Sequence, residues 1–187
     1  MAMNTGQRQL FNLGRFVLAY AQVEGYLRKS LCLHGQISEK FFKIALSGVR
    51  TEDAINHLKK LLKESNLDAQ ILADYEEVFE HLRPIKETRN LLLHSGIEIF
   101  GLGFAVTNAS KMLDPENATV IPVSHDIFER MIADLDKMTA MLINNLLRIQ
   151  APSSSDFVLD RLSRGTWLYT PPPQGGRPKQ KGQKGPQ

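Results

Sequence analysis

Cysteine is almost missing from this sequence of 187 residues: Cys32 stands alone. A single thiol closes no internal disulfide. Set among apolar neighbours in KSLCLHG, it reads as a small buried hydrophobe in a reducing compartment. Long apolar runs are missing as well. No stretch of about 18 consecutive apolar residues occurs, so no membrane span is expected. The opening MAMNTGQRQ is polar and lacks the apolar core of a secretion signal, so a cytoplasmic location is the expectation. One cysteine and five scattered histidines offer no zinc-ligand spacing, and no metal or other cofactor is expected. A strong charge of one sign is absent from the body of the chain. The net charge is +3, but residues 151–187 carry six Lys/Arg and two Asp, or +4, which leaves −1 for residues 1–150. Electrostatic attraction of a polyanion by bulk charge is therefore a property of the C-terminal segment alone.

Helical periodicity is what the chain does have. Leu10, Leu13, Val17, Tyr20, Ala21, Leu27 and Leu31 recur at spacings of three and four, which predicts a first helix over 7–33 with Gly35 as its stop. Ser38 caps a short second helix to about Gly48. Thr51 caps a third, EDAINHLKKLLKES, with acids early and lysines late, as a helix dipole prefers. A fourth runs from about Asp68 to His94, with Pro84 predicting a kink or break near Arg83. Beyond Gly96 the pattern changes. IEIFGLGFAVTN and ATVIPVS are β-branched and aromatic-rich, and the turn-forming ASKMLDPEN between them predicts a small β-hairpin. Ser124 caps a fifth helix to about Ile149, with Ile127, Met131, Leu135, Met138, Leu142 and Leu146 down one side. The fold class expected is all-α: an up-and-down bundle of about five helices over residues 1–150, with a β-hairpin insert. Residues 151–187 follow as a linker and a Pro/Gly/Lys-rich disordered tail, in which Trp167 and Tyr169 are expected to pack on the domain.

Two residues interrupt apolar stripes. In the fourth helix the stripe is Val78, Leu82, Ile85, position 89, Leu92, and position 89 is Arg89. In the first it is Leu13, Val17, Ala21, position 24, Leu27, and position 24 is Glu24. An inward charge needs a partner, so Glu24 is expected to form a supporting ion pair with Arg89. His57, His81, His34 and His125 read as solvated. His94 differs, because it lies one helical turn from Asn90 at a helix end beside Arg89. RNA carries its own nucleophile, the 2′-hydroxyl. Cleavage needs only a proton acceptor, a proton donor and a steadied phosphate, tasks suited to histidine and to the planar fork of arginine.

The string R-N-x-x-x-H, here Arg89, Asn90 and His94 with NLLL between Arg and His, resembles the Arg–His motif of HEPN (higher eukaryote and prokaryote nucleotide-binding) domains. The opening FVLAYAQVEGYLRKSL is similar to the first helix of such domains, and the resemblance covers roughly residues 7–150. It implies a HEPN-like helical bundle and a metal-independent endoribonuclease acting as a homodimer, with Arg89 and His94 catalytic and Asn90 positioning. It also implies RNA as substrate and a setting in toxin–antitoxin or phage defence, with an antitoxin or other protein as partner. Some relatives carry a tyrosine, modified by a nucleotidyltransferase antitoxin, two residues after the histidine. This chain has Gly96 there. The alternative is a non-catalytic HEPN-like module that binds nucleotide, RNA or a protein.

Overall fold

The computed structural model describes residues 4–45, 48–94, 96–100, 103–107, 120–151 and 157–171. For Thr5, His94, Phe157 and the strand residues it describes the backbone alone. The described residues form six helices: α1 (Thr5–His34), α2 (Glu39–Ala45), α3 (Thr51–Lys63), α4 (Ala69–His94), α5 (His125–Gln150) and α6 (Phe157–Ser163). Between α4 and α5 lie strands β1 (Gly96–Phe100), β2 (Gly103–Thr107) and β3 (Val120–Val123). The protein is mostly helical, and among the described side chains the core comes from helices, with Tyr169 the one exception.

Local chemistry sets the helix ends. Asn4 accepts from the Gln7 amide while the Gln7 side chain accepts from the Asn4 amide, a reciprocal cap that starts α1 two residues before the predicted onset. Gly35 ends it, its N–H returning to the Leu31 carbonyl. Ser38 and Ser124 cap α2 and α5 as predicted, their hydroxyls accepting from the Phe41 and Ile127 amides. Thr51 does not cap α3. The N-cap is Arg50, without a side-chain bond, and the Thr51 hydroxyl is spent on Glu24.

The long helices α1, α4 and α5 supply most of the core. α1 packs against α5 and α3, and α4 packs against α5. Phe16, Val23 and Leu27 of α1 meet Phe128, Met131, Leu135, Met138 and Leu142 of α5, with Phe16 and Phe128 rings 5.8 Å apart. Val78, Leu82, Ile85 and Leu92 form the buried stripe of α4. Ion pairs join elements at the surface: Arg15–Glu129 between α1 and α5, Lys59–Glu76 between α3 and α4 at 3.1 Å. Such exposed pairs contribute about 0–1 kcal/mol each, so burial of apolar surface carries the stability.

Four further expectations are corrected. The buried stripe of α1 is Phe16, Ala19, Tyr20, Val23, Leu27 and Leu31, while Leu10, Val17 and Ala21 face outward. Both faces of α1 are apolar, so periodicity alone misjudges the inward one. The break expected near Arg83 does not occur: α4 runs as one element through Pro84. The cost of the missing N–H is met within a helix held by its buried stripe, and the Thr88 hydroxyl bonds back to the Pro84 carbonyl at 3.1 Å. The region after Gly96 holds three strands, an antiparallel sheet in the order β1-β2-β3, where one hairpin was expected. Phe100 pairs with Gly103 and Gly96 with Thr107, so the first apolar segment folds back on itself before pairing with the second, Phe104 opposite Val123. The helices number six rather than about five, because α6 forms within the segment taken as a linker.

The chain after α5 is fastened to the body. Asp134, only 2% exposed, accepts from the backbone amides of Leu168 and Tyr169 at 2.8 Å each. The Tyr169 and Thr88 hydroxyls bond at 2.7 Å. Trp167 stacks on His81 with centroids 4.0 Å apart, donates to Glu77, and has the Lys137 ammonium 3.7 Å from its ring centroid. Residues 101–102, residues 108–119 with the predicted turn ASKMLDPEN, and the tail at 172–187 lie outside the described residues.

Candidate active site

Arg89 is half-buried, at the junction of α1, α3 and α4. Its guanidinium carbon lies 5.4 Å from the ring centroid of Tyr20, a cation held over a π face. One of its nitrogens, Nη1, donates to Asn90 Oδ1 at 3.1 Å. Tyr20 is buried on α1, and its pKa is pushed up to about 12. Burial is the main cause; the Thr51 hydrogen bond opposes it, Glu24 raises it, Arg89 lowers it, and Glu52 raises it slightly. The phenol is therefore neutral at physiological pH and serves as a platform rather than a proton carrier.

Glu24 and Arg89 do come to one place, but not as a pair. Among the described residues no ion pair joins them. The Glu24 carboxylate accepts from the Thr51 hydroxyl, and Arg89 lies against the Tyr20 ring. Tyr20 and Thr51 thus stand where the predicted ion pair was expected. Beside them Lys86 donates to Glu52, and this bond chiefly holds the Glu52 carboxyl below its usual range. Arg89 is left without a carboxylate partner among the described residues, with donors still free to hold an anion.

Asn90 is exposed and orients the guanidinium through its side-chain oxygen. His94 is the last residue of α4, and its side chain lies outside the described residues. The spacing on α4 places it one turn beyond Asn90. Thr88, next to Arg89, carries the bond to Tyr169, so the C-terminal segment braces the helix immediately behind the candidate site. Periodicity could not find Tyr20, Thr51 or Tyr169. Tyr20 looked like one more stripe residue, and the others lie in distant elements.

Three histidines read as solvated are engaged. His34 Nε2 lies 3.1 Å from the Tyr75 hydroxyl, which donates to Ser30, and burial lowers the pKa of His34. His81 stacks on Trp167, and His125 Nδ1 lies 2.6 Å from Asn12 Nδ2. Among the described residues no three His, Cys, Asp or Glu side chains gather to hold a metal ion. No described helix is long and apolar enough to cross a membrane.

Among the described residues, nothing covers one face of α1. Leu10 is 64% exposed, Phe11 56% and Leu18 64%, and nothing lies within 4 Å of where a Cβ would stand at Gly14 or Gly25. The chain matches no family model, no curated protein and no solved structure.

Proposed function

We propose that this protein is a metal-independent endoribonuclease of HEPN type, acting as a homodimer in the cytoplasm in toxin–antitoxin or phage defence. One observation carries the reading: Arg89 interrupts an apolar stripe, is aimed by Tyr20 and Asn90, and has no carboxylate to neutralise it among the described residues. A guanidinium held ready in this way is costly unless an anion visits it. Arg89 binds the scissile phosphate and Asn90 fixes the fork. His94 takes the proton of the 2′-hydroxyl as the 2′-oxygen attacks phosphorus. The bond to the 5′-oxygen breaks, and that oxygen takes a proton from the partner's histidine. The products are a 2′,3′-cyclic phosphate and a 5′-hydroxyl. An antitoxin or other protein partner would act by covering this end of α4.

The uncovered face of α1 supports the dimer. Leu10 and Phe11 stand at one end of this face, Ala21 and Gly25 at the other, and Gly14 and Leu18 between them. An antiparallel two-fold pairing sets large against small on both sides, whereas a parallel one sets glycine against glycine.

The test is a labelled RNA panel incubated with the protein in chelator. Wild type cleaves. Arg89→Ala lowers the rate by about 10²–10³, the scale of losing one charge-stabilising donor, and His94→Ala by about 10²–10⁴. Arg89→Lys, which keeps charge but loses the fork, falls between. RNA left intact by folded wild type across the panel refutes the proposal and favours a binding module.

A further inference from the structure

A cavity lies near the C-terminal end of α1. Gly35 and Gln36 turn the chain sharply. Gln36 has φ 52°, and the Ile37 amide returns to the Cys32 carbonyl at 2.9 Å. The turn lays α2 back across α1, but α2 buries only Phe42. Between the two helices the cavity measures about 380 Å³ and is lined by Arg28, Lys29, Cys32, Glu39, Phe42 and Lys43. That volume falls within the range of small-ligand sites.

Its chemistry is two-sided. Phe42, Cys32 and the methylene stems of the long side chains give a mostly apolar wall. The pKa of the Cys32 thiol is pushed up by burial and by Glu39, so at neutral pH it is mostly protonated and presents apolar surface to a ligand while reacting slowly with alkylating agents. At the rim stand three cations against one acid. Glu39 is shared with Lys43 at 3.8 Å, and Lys29 lies 4.6 Å from the Tyr26 ring centroid. Arg28 has no carboxylate partner among the described residues. A polar, neutral ligand would waste the wall, and an apolar neutral one would leave the cations unanswered.

We propose that the α1–α2 cavity binds a small amphipathic anion, its apolar body against Cys32 and Phe42 and its acidic head on Arg28 and Lys29. This site is independent of Arg89 and His94. Because Cys32 is the only cysteine, it reports on the cavity directly.

The experiment measures alkylation of Cys32 by iodoacetamide in the full chain, with decanoate or decanol present. Decanoate at ten times its dissociation constant slows alkylation by about tenfold, as occupancy of a single site requires. Decanol, with the same body and no charge, protects less than about twofold, a loss of affinity expected when the charged head is absent. The double variant Arg28→Ala/Lys29→Ala, checked for unchanged helical circular dichroism, loses the decanoate protection and keeps the basal alkylation rate. Calorimetric titration with decanoate ranks the proteins in the same order. The proposal is overturned if decanoate gives neither protection nor heat, if decanol protects equally, or if a short RNA protects where decanoate does not.

Discussion

The fastening of residues 166–171 depends on one buried carboxylate, so Asp134→Ala is the most informative change to the fold. Asp134 accepts two backbone N–H bonds at 2.8 Å while almost fully buried. Hydrogen bonds to a charged acceptor contribute about 1.5–3 kcal/mol each, so alanine costs the docked segment about 3–6 kcal/mol and leaves two amides unpaired. The Trp167 stack and the Tyr169–Thr88 bond remain, so the segment opens more often without the bundle unfolding. At about 1.4 kcal/mol per factor of ten, the open population rises by about a hundredfold or more. Trypsin reads this at Arg164, which is exposed, through the fragment that begins at Gly165. Asp134→Ala speeds its appearance by that factor, and Asp134→Asn, which retains one acceptor oxygen, gives an intermediate rate. The melting temperature falls by about 2–4 °C for each kcal/mol that the docked segment contributes globally. If both variants release the fragment at the wild-type rate, the carboxylate is not what holds the segment.

Three other outcomes follow from the packing. Asn145 is fully buried, and among the described residues neither its amide nitrogen nor its oxygen has a hydrogen-bond partner, so Asn145→Leu raises stability by about 1–3 kcal/mol in urea unfolding; a loss would show that the amide is satisfied in solution. Burial lowers the His34 pKa, so the unfolded chain takes up a proton near pH 6.5 that the folded chain resists. The stability held above that pH is lost as pH falls toward the folded pKa, and His34→Gln shows a shallower decline in melting temperature from about pH 7 to about pH 5. Leu18→Asp at the uncovered α1 face gives a monomer by sedimentation with unchanged circular dichroism, and a wild type that is itself monomeric removes the dimer from the proposed mechanism.

Much of the helical frame was legible because caps and stripes are local. Ser124 and the Ile127-to-Leu146 series define α5 without any knowledge of its neighbours, and Gly35 marks the end of α1 for the same reason. What depends on a second element was not legible. The inward side of α1 could not be chosen from spacing, because Leu10, Leu18 and Ala21 are as apolar as Phe16, Val23 and Leu27. Pro84 carries a local rule against continuing a helix, and the buried stripe of α4 overrides it. At the candidate site, the interruptions at Glu24 and Arg89 pointed to two side chains that both lie near Tyr20, but not to what each one contacts. Their intermediaries, Tyr20 and Thr51, were invisible, since a tyrosine on an apolar face and a threonine at a helix start each have an ordinary explanation. The role of Asp134 was hidden too, because its partners are main-chain amides more than thirty residues away.

The sandwich of His81, Trp167 and Lys137 gives the molecule a built-in optical gauge. With a single indole in the chain, all tryptophan emission comes from the clasp. The imidazole and the ammonium beside it set that emission, so brightness and colour follow the seating of residues 166–171 while far-ultraviolet ellipticity follows the helices. Loosening of the clasp and melting of the bundle can therefore be timed separately in one unlabelled sample.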